Sequence, residues 1–149
     1  MQKVYLDTCC LNRPFDDHSQ TRIRLESESI LQIIGQCTSG ILSWIASDVL
    51  DFEIAQISNT ERRKRVNTLR SFAQDMLVSS DSVLQRSLEI RTFGIGEMDA
   101  LHIACAEEAQ VDVFLTTDDR LLKSAGRFQS RLHIFVSNPT AWVLKKEDK

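Results

Sequence analysis

The sequence predicts an α/β fold: a mainly parallel sheet covered by helices on both faces, in three α/β/α layers. Two observations predict it. Short β-type runs alternate with longer stretches of helical periodicity along the chain. Strands linked through helices require right-handed crossovers, which make neighbouring strands parallel. The 149 residues match the commonest size of one domain, and a 42% hydrophobic share can build a core, so residues 1–149 read as a single domain. No internal repeat, low-complexity tract or linker interrupts them.

Val4-Tyr5-Leu6 reads as the first strand, with Asp7 directly after it. The polar stretch from Asn12 to Asp17 reads as a loop. Between Thr21 and Gln36, the residues Ile23, Ser27, Ile30, Leu31 and Ile34 recur at helical spacing. Ile41 to Ile45 forms a second strand, and Ser47 stands where a helix N-cap would. A charged helix covers the region around 60–75 and precedes a short strand, Met76-Leu77-Val78. Asp81 can cap a helix that runs through Val83, Leu84 and Leu88 to Ile90. Gly94-Ile95-Gly96 breaks the chain before a helix from Glu97 to about Ala109. Val113 to Thr116 is a buried strand, followed by a short helix over Asp119–Ala125 and a last strand, His133 to Val136.

Lys and Arg total 18 against 21 Asp and Glu, a formal net charge of −3. That balance argues against a general basic coat for nucleic acid while leaving room for a local patch. No apolar run approaches the roughly 20 residues of a membrane span. The segment Met1 to Asp7 has no long apolar core or cleavage site, so the expectation is a cytoplasmic protein without a membrane partner. Cys9, Cys10, Cys37 and Cys105 form no Cys-x-x-Cys pair, and His18, His102 and His133 are scattered. Reduced, mostly buried thiols fit better than structural zinc.

In a parallel α/β sheet, ligands bind outside the carboxyl ends of the strands, at a topological switch point. Four acids belong to that region. Asp7 ends the first strand, and Asp118 follows the strand Val113–Thr116. Asp99 lies in the first turn of the helix after the glycine break. Glu53 shares the apolar stripe of Val49, Leu50 and Ile57, so it faces the core or a cleft, where charged groups rarely stand unpaired. Each acid also has an ordinary reading: Asp7 as a turn residue, Glu53 as half of a buried ion pair, Asp99 as a first-turn acid and Asp118 as a helix cap. Converging carboxylates repel, and Mg²⁺ or Mn²⁺, which takes oxygen ligands, resolves that repulsion and activates water for phosphodiester hydrolysis.

Val4-Tyr5-Leu6-Asp7-Thr8, Ser47 with Glu53 six positions on, Asp99-Ala100-Leu101-His102-Ile103-Ala104 and Leu115-Thr116-Thr117-Asp118 resemble the four ordered motifs of the PIN domain family. The resemblance spans nearly the whole chain. It implies a Rossmann-like sheet of about five parallel strands and Mg²⁺/Mn²⁺-dependent ribonuclease activity. It also implies an acidic site of Asp7, Glu53, Asp99 and Asp118, in which Asp7, Asp99 and Asp118 ligate the metal. Glu53 would complete the site or orient the attacking water, Thr116 would support it through its hydroxyl, and Asp119 is a candidate extra ligand. Many small PIN proteins are VapC-type toxins, homodimers held by a small antitoxin, so those partners are implied as well. Glu97, two residues before Asp99, and the polar loop from Asn12 depart from the toxin pattern.

An acidic site needs basic help to hold an RNA backbone. Arg62-Arg63-Lys64-Arg65 and Arg70 form the densest basic stretch. Lys64 and Arg65 lie furthest from the Val66/Leu69/Ala73 stripe, and Arg13 lies a few residues after Asp7. These three are the candidate phosphate contacts, against the ordinary readings of a solvated helix face and a local pair with Asp16 or Asp17. Two rivals compete with the nuclease reading. A receiver-type phospho-acceptor domain is disfavoured, because no acidic pair ends the first strand. The other is a catalytically silent PIN-like module that binds RNA or a protein.

Overall fold

Alternation of side chains about the first strand builds both layers of the core. This strand, β1 (Gln2–Leu6), belongs to a computed structural model that describes residues 1–147, so the last two residues of the expected domain lie outside the described residues. Val4 and Leu6 point to one face of the sheet and Tyr5 to the other, the period of two that a pleated strand imposes. The strands β2 (Leu42–Ser47) and β4 (Val113–Leu115) repeat the pattern. Trp44, Ala46, Val113 and Leu115 join Leu6, whereas Ile45 and Phe114 join Tyr5. Each fully buried side chain of Leu or Phe size contributes about 1.5–3 kcal/mol.

With β3 (Asp75–Leu77) and β5 (Phe135–Ser137) the sheet has five strands in the order β3-β2-β1-β4-β5, every neighbouring pair parallel. The Leu6 face is covered by α1 (Thr8–Asn12), α2 (Thr21–Thr38), α4 (Thr60–Arg70) and α8 (Pro139–Glu147). The Tyr5 face is covered by α5 (Asp81–Arg91), α6 (Glu97–Glu108) and α7 (Asp119–Arg127). The remaining helix, α3 (Asp48–Ala55), contributes Val49 to one layer and Leu50 and Ile54 to the other. The architecture is therefore the three-layer parallel α/β/α fold that the sequence predicts.

Several boundaries differ from expectation. The segment after Asp7 is helical in α1, and Arg13–Phe15 forms a 3-10 turn rather than open loop. Proline at the second position of that turn suits the helical φ it requires. Ser80, extended at φ −122° and ψ 178°, occupies the N-cap position of α5, and Asp81 is a first-turn acid instead. The charged helix stops at Arg70, and α8 has no counterpart in the expected elements. On α2 the buried stripe is Ile30, Ile33, Ile34 and Cys37, while Leu31 is exposed.

The chain leaves β1 toward β2 and β3, then returns to build β4 and β5 on the other side. The switch point thus falls between β1 and β4, and their carboxyl ends open a crevice there. The Asp7 N–H donates to the Leu115 carbonyl at 3.0 Å, which holds the two strand ends side by side.

One buried acid was not anticipated. Glu26 on α2 is 2% exposed, accepting from Arg13 Nε at 2.9 Å, Arg22 Nε at 3.2 Å and Asn138 Nδ2 at 2.6 Å. Arg22 also donates to the Thr117 carbonyl, so this cluster ties α2 to the segments after β4 and β5. Removing one member of a buried ion cluster strands the rest, but Arg13 and Arg22 reach water and soften the loss. Glu26→Gln should cost about 2–3 kcal/mol, read as a lower midpoint in urea with an unchanged slope. A midpoint equal to that of the unsubstituted protein would contradict this role.

Candidate active site

Asp7 is the N-cap of α1, and only 5% of it is exposed. Its Oδ1 accepts from the Thr8 N–H at 2.8 Å. Its Oδ2 accepts from Thr116 Oγ1 at 2.9 Å and from Cys9 Sγ at 3.4 Å. Burial holds the Asp7 carboxyl above its ordinary pKa even though the charge of His102 and these donors pull it down.

Glu53 reaches the same place from α3. Its Oε1 accepts from Thr8 Oγ1 at 2.5 Å and from His102 Nε2 at 2.5 Å, which leaves Oε2 without a protein donor. His102 follows Asp99 by three residues on α6, so the two side chains share one helix face. Its ring is fully buried, and Nδ1 bonds to the Tyr5 hydroxyl at 2.6 Å. That hydroxyl bonds in turn to Ser47 Oγ at 2.6 Å, which accepts from the Leu50 N–H and caps α3. Because hydroxyls both donate and accept, the Ser47–Tyr5 pair can serve His102 in its neutral or charged form. Burial pushes the His102 pKa down, but the bond to Glu53 and the charges of Asp7 and Glu53 raise it above its usual value. The same bond lowers the pKa of Glu53.

Asp7, Glu53 and His102 each offer a ligand atom, all within 4.8 Å of one another. Asp99 is half-buried beside them, its pKa raised to about 6 by burial, then by the charges of Asp7 and Asp118. Asp118 is exposed, and its Oδ1 accepts from the N–H groups of Arg120 at 2.9 Å and Leu121 at 3.2 Å. It caps α7, and it also lines one cleft with Asp99. Thr116 Oγ1 bridges Asp7 Oδ2 and the Asp118 N–H.

Other candidates fall outside this group. Asp119 turns to Arg22, which grips both of its oxygens at 2.6 and 2.8 Å. Arg13 is held by Glu26 and Asp16, the local pairing that its acidic neighbours suggest. Arg65 is exposed and pairs with Glu61 one turn away, and Lys64 is an exposed residue of the same helix. Neither lines the cleft of Asp99 and Asp118. Sequence reasoning missed His102, Thr8 and Tyr5. The three-residue spacing of Asp99 and His102 was the available signal, whereas the Tyr5 and Thr8 contacts depend on packing between elements distant in the chain.

The PIN domain family model matches residues 4–127, and the chain belongs to the PIN domain family. Solved structures agree in fold. One similar chain occurs in VapBC2 from Rickettsia felis bound to a DNA fragment from their promoter, with a TM-score of 0.61 and 13% identity over 92% of this chain and 98% of that one. Another occurs in VapBC-1 from nontypeable Haemophilus influenzae, with a TM-score of 0.58 and 14% identity over 93% and 99% of the two chains. No curated protein sequence matches. Among the described residues, no helix is long and apolar enough to cross a membrane.

The raised pKa of Asp99 has a consequence for stability. The folded state binds the Asp99 proton more tightly than the unfolded chain, so this contribution is fully present below about pH 4 and is lost as pH rises through about 6. Asp99→Asn carries no such penalty. In EDTA at pH 8 it should melt roughly 2–4 °C higher than the unsubstituted protein, for about 1 kcal/mol after solvent screening, with the gap closing toward pH 4. A variant that melts lower at pH 8 would mean that Asp99 acts only as a first-turn helix acid.

Proposed function

We propose that the protein is a divalent-metal-dependent ribonuclease that hydrolyses phosphodiester bonds in single-stranded RNA or RNA loops. The observation that carries this reading is the meeting of Asp7, Glu53 and His102 at the switch point of a PIN-domain sheet, with Asp99 electrostatically coupled to Asp7. The donor set fits a hard divalent ion, because carboxylate oxygens dominate it and their mutual repulsion favours a cation. Asp7, Asp99 and Asp118 would hold Mg²⁺ or Mn²⁺. Once bound, the ion would supply Lewis acidity toward a phosphodiester and would lower the pKa of water.

The chain's own groups then have separate tasks. Thr116 and the Thr8 N–H fix both oxygens of Asp7. Thr8 and His102 hold Glu53 by Oε1, so Oε2 is the atom that can take a proton from an attacking water. His102, anchored through Tyr5 and Ser47, sets the orientation of Glu53. The whole of residues 1–149 acts as one cytoplasmic domain in this proposal. The likeness to chains of VapBC complexes supports a toxin role, with a small antitoxin as partner and a homodimer as the assembly.

One observation favours a second reading. Two backbone N–H groups occupy Oδ1 of Asp118, which thins the ligand set and suits a silent module that binds RNA or a protein. Incubating labelled single-stranded RNA with the protein separates the two. Cleavage should occur in Mn²⁺ and stop in EDTA, vanish in Asp7→Asn, and slow by about 10²–10⁴-fold in Glu53→Gln. Cleavage that survives EDTA or Asp7→Asn would refute the mechanism, and RNA bound but uncut in Mn²⁺ would establish the silent module.

A further inference from the structure

A cleft of about 510 Å³ runs along the acidic site, with Asp99, Asp118 and Glu97 contributing carboxylates. Two arginines line it as well, Arg91 at the end of α5 and Arg120 in the first turn of α7. Eight of the twelve arginines are spent on internal contacts, among them Arg13 and Arg22 on Glu26, Arg62 on Asp16, Arg70 on Asp51 and Arg86 on Glu107. Among the described residues, four have no ion pair and no side-chain hydrogen bond: Arg24, Arg91, Arg120 and Arg127. Only Arg91 and Arg120 of these line the cleft. Both are exposed, and neither closes onto the carboxylates beside it.

We propose that Arg91 and Arg120 form a phosphate subsite that holds the backbone of a single-stranded RNA beside the acidic centre. The proposal rests on the RNA substrate of the preceding section. Its physical need is plain, because a centre of like-charged carboxylates repels the polyanion it must engage. A guanidinium offers paired N–H groups to a phosphate in a geometry that ammonium lacks. Gly96, at the N-cap position of α6, lines the same cleft and contributes no side chain to it. Arg13, Lys64 and Arg65, the candidate phosphate contacts read from the sequence, do not line this cleft.

Fluorescence anisotropy of a labelled single-stranded RNA oligonucleotide in EDTA, where no strand is cut, tests the proposal. The proteins compared are the unsubstituted chain, R91Q/R120Q and R24Q/R127Q, the last removing two equally unpaired charges away from the cleft. R91Q/R120Q should bind about tenfold more weakly, and its plot of log affinity against log salt should be shallower by about 1.4, for two lost phosphate contacts at about 0.7 each. R24Q/R127Q should keep the parent slope. Circular dichroism melts check that each variant folds, and if R91Q/R120Q does not, the single variants R91Q and R120Q should each lose half of that slope. Equal losses in both double variants, an unchanged slope in R91Q/R120Q, or no RNA binding by the unsubstituted chain would overturn the proposal. The nuclease reading fails separately, through absent cleavage in Mn²⁺. Binding that still depends on Arg91 and Arg120 would then leave the subsite standing.

Discussion

Asp7 is a carboxylate removed almost wholly from water at the carboxyl end of the central strand, and much of the surrounding structure answers that burial. An unpaired buried carboxylate is costly, so each of its oxygens has a donor from the protein. The Thr8 N–H is available because α1 begins at once after β1, which makes Asp7 a helix cap as well as a strand terminus. Thr116 is available because β4 pairs with β1 in register, Leu6 against Leu115. The strand order that places β4 beside β1 therefore makes the site possible. Even with these donors Asp7 holds its proton more tightly than a solvated aspartate, and its charge raises the pKa of Asp99 in turn.

A second constraint runs through the layer on the other face of β1. Tyr5 points away from Leu6, into the layer built by α5, α6 and α7, where it stacks on Phe114 at 5.3 Å between ring centroids. Its hydroxyl is buried there and is satisfied by Ser47 and His102. The chain from the α3 cap through Ser47, Tyr5 and His102 to Glu53 thus converts core packing into the orientation of one carboxylate oxygen. Glu53 itself is partly exposed, with 30% of its side chain in contact with solvent, and it needs that anchoring more than Asp7 does. Position comes from the core, and access comes from the crevice.

Much of this was legible in the sequence because the signals are local. The strand runs, Ser47 before a helix and the glycine break before Glu97 follow from short-range periodicity and caps, and the structure agrees with them. The four acids stood out as candidates because each lies at a strand end or on the helix that follows a strand or break. Partnership was not legible. Asp119 and Asp118 are adjacent in sequence, yet one pairs with Arg22 on α2 and the other caps α7 toward the cleft. Arg13 and Arg91 are both arginines near helix ends, and only the path of α2 decides that Arg13 is consumed by Glu26. His102 looked like a scattered histidine because its partners, Tyr5 and Glu53, are 97 and 49 residues away.

In the proposed nuclease, Asp7 and Asp99, coupled through their charges, would bind a divalent cation together. Isothermal titration calorimetry with Mn²⁺, run at pH 6 and pH 8 in buffers of different ionisation enthalpy, counts the protons that binding displaces. Because burial and the charges of Asp7 and Asp118 raise the Asp99 pKa to about 6, binding should release more protons at pH 6 than at pH 8, and Asp7→Asn should lose the binding heat. Binding without pH-dependent proton release, or undiminished binding by Asp7→Asn, would contradict the account.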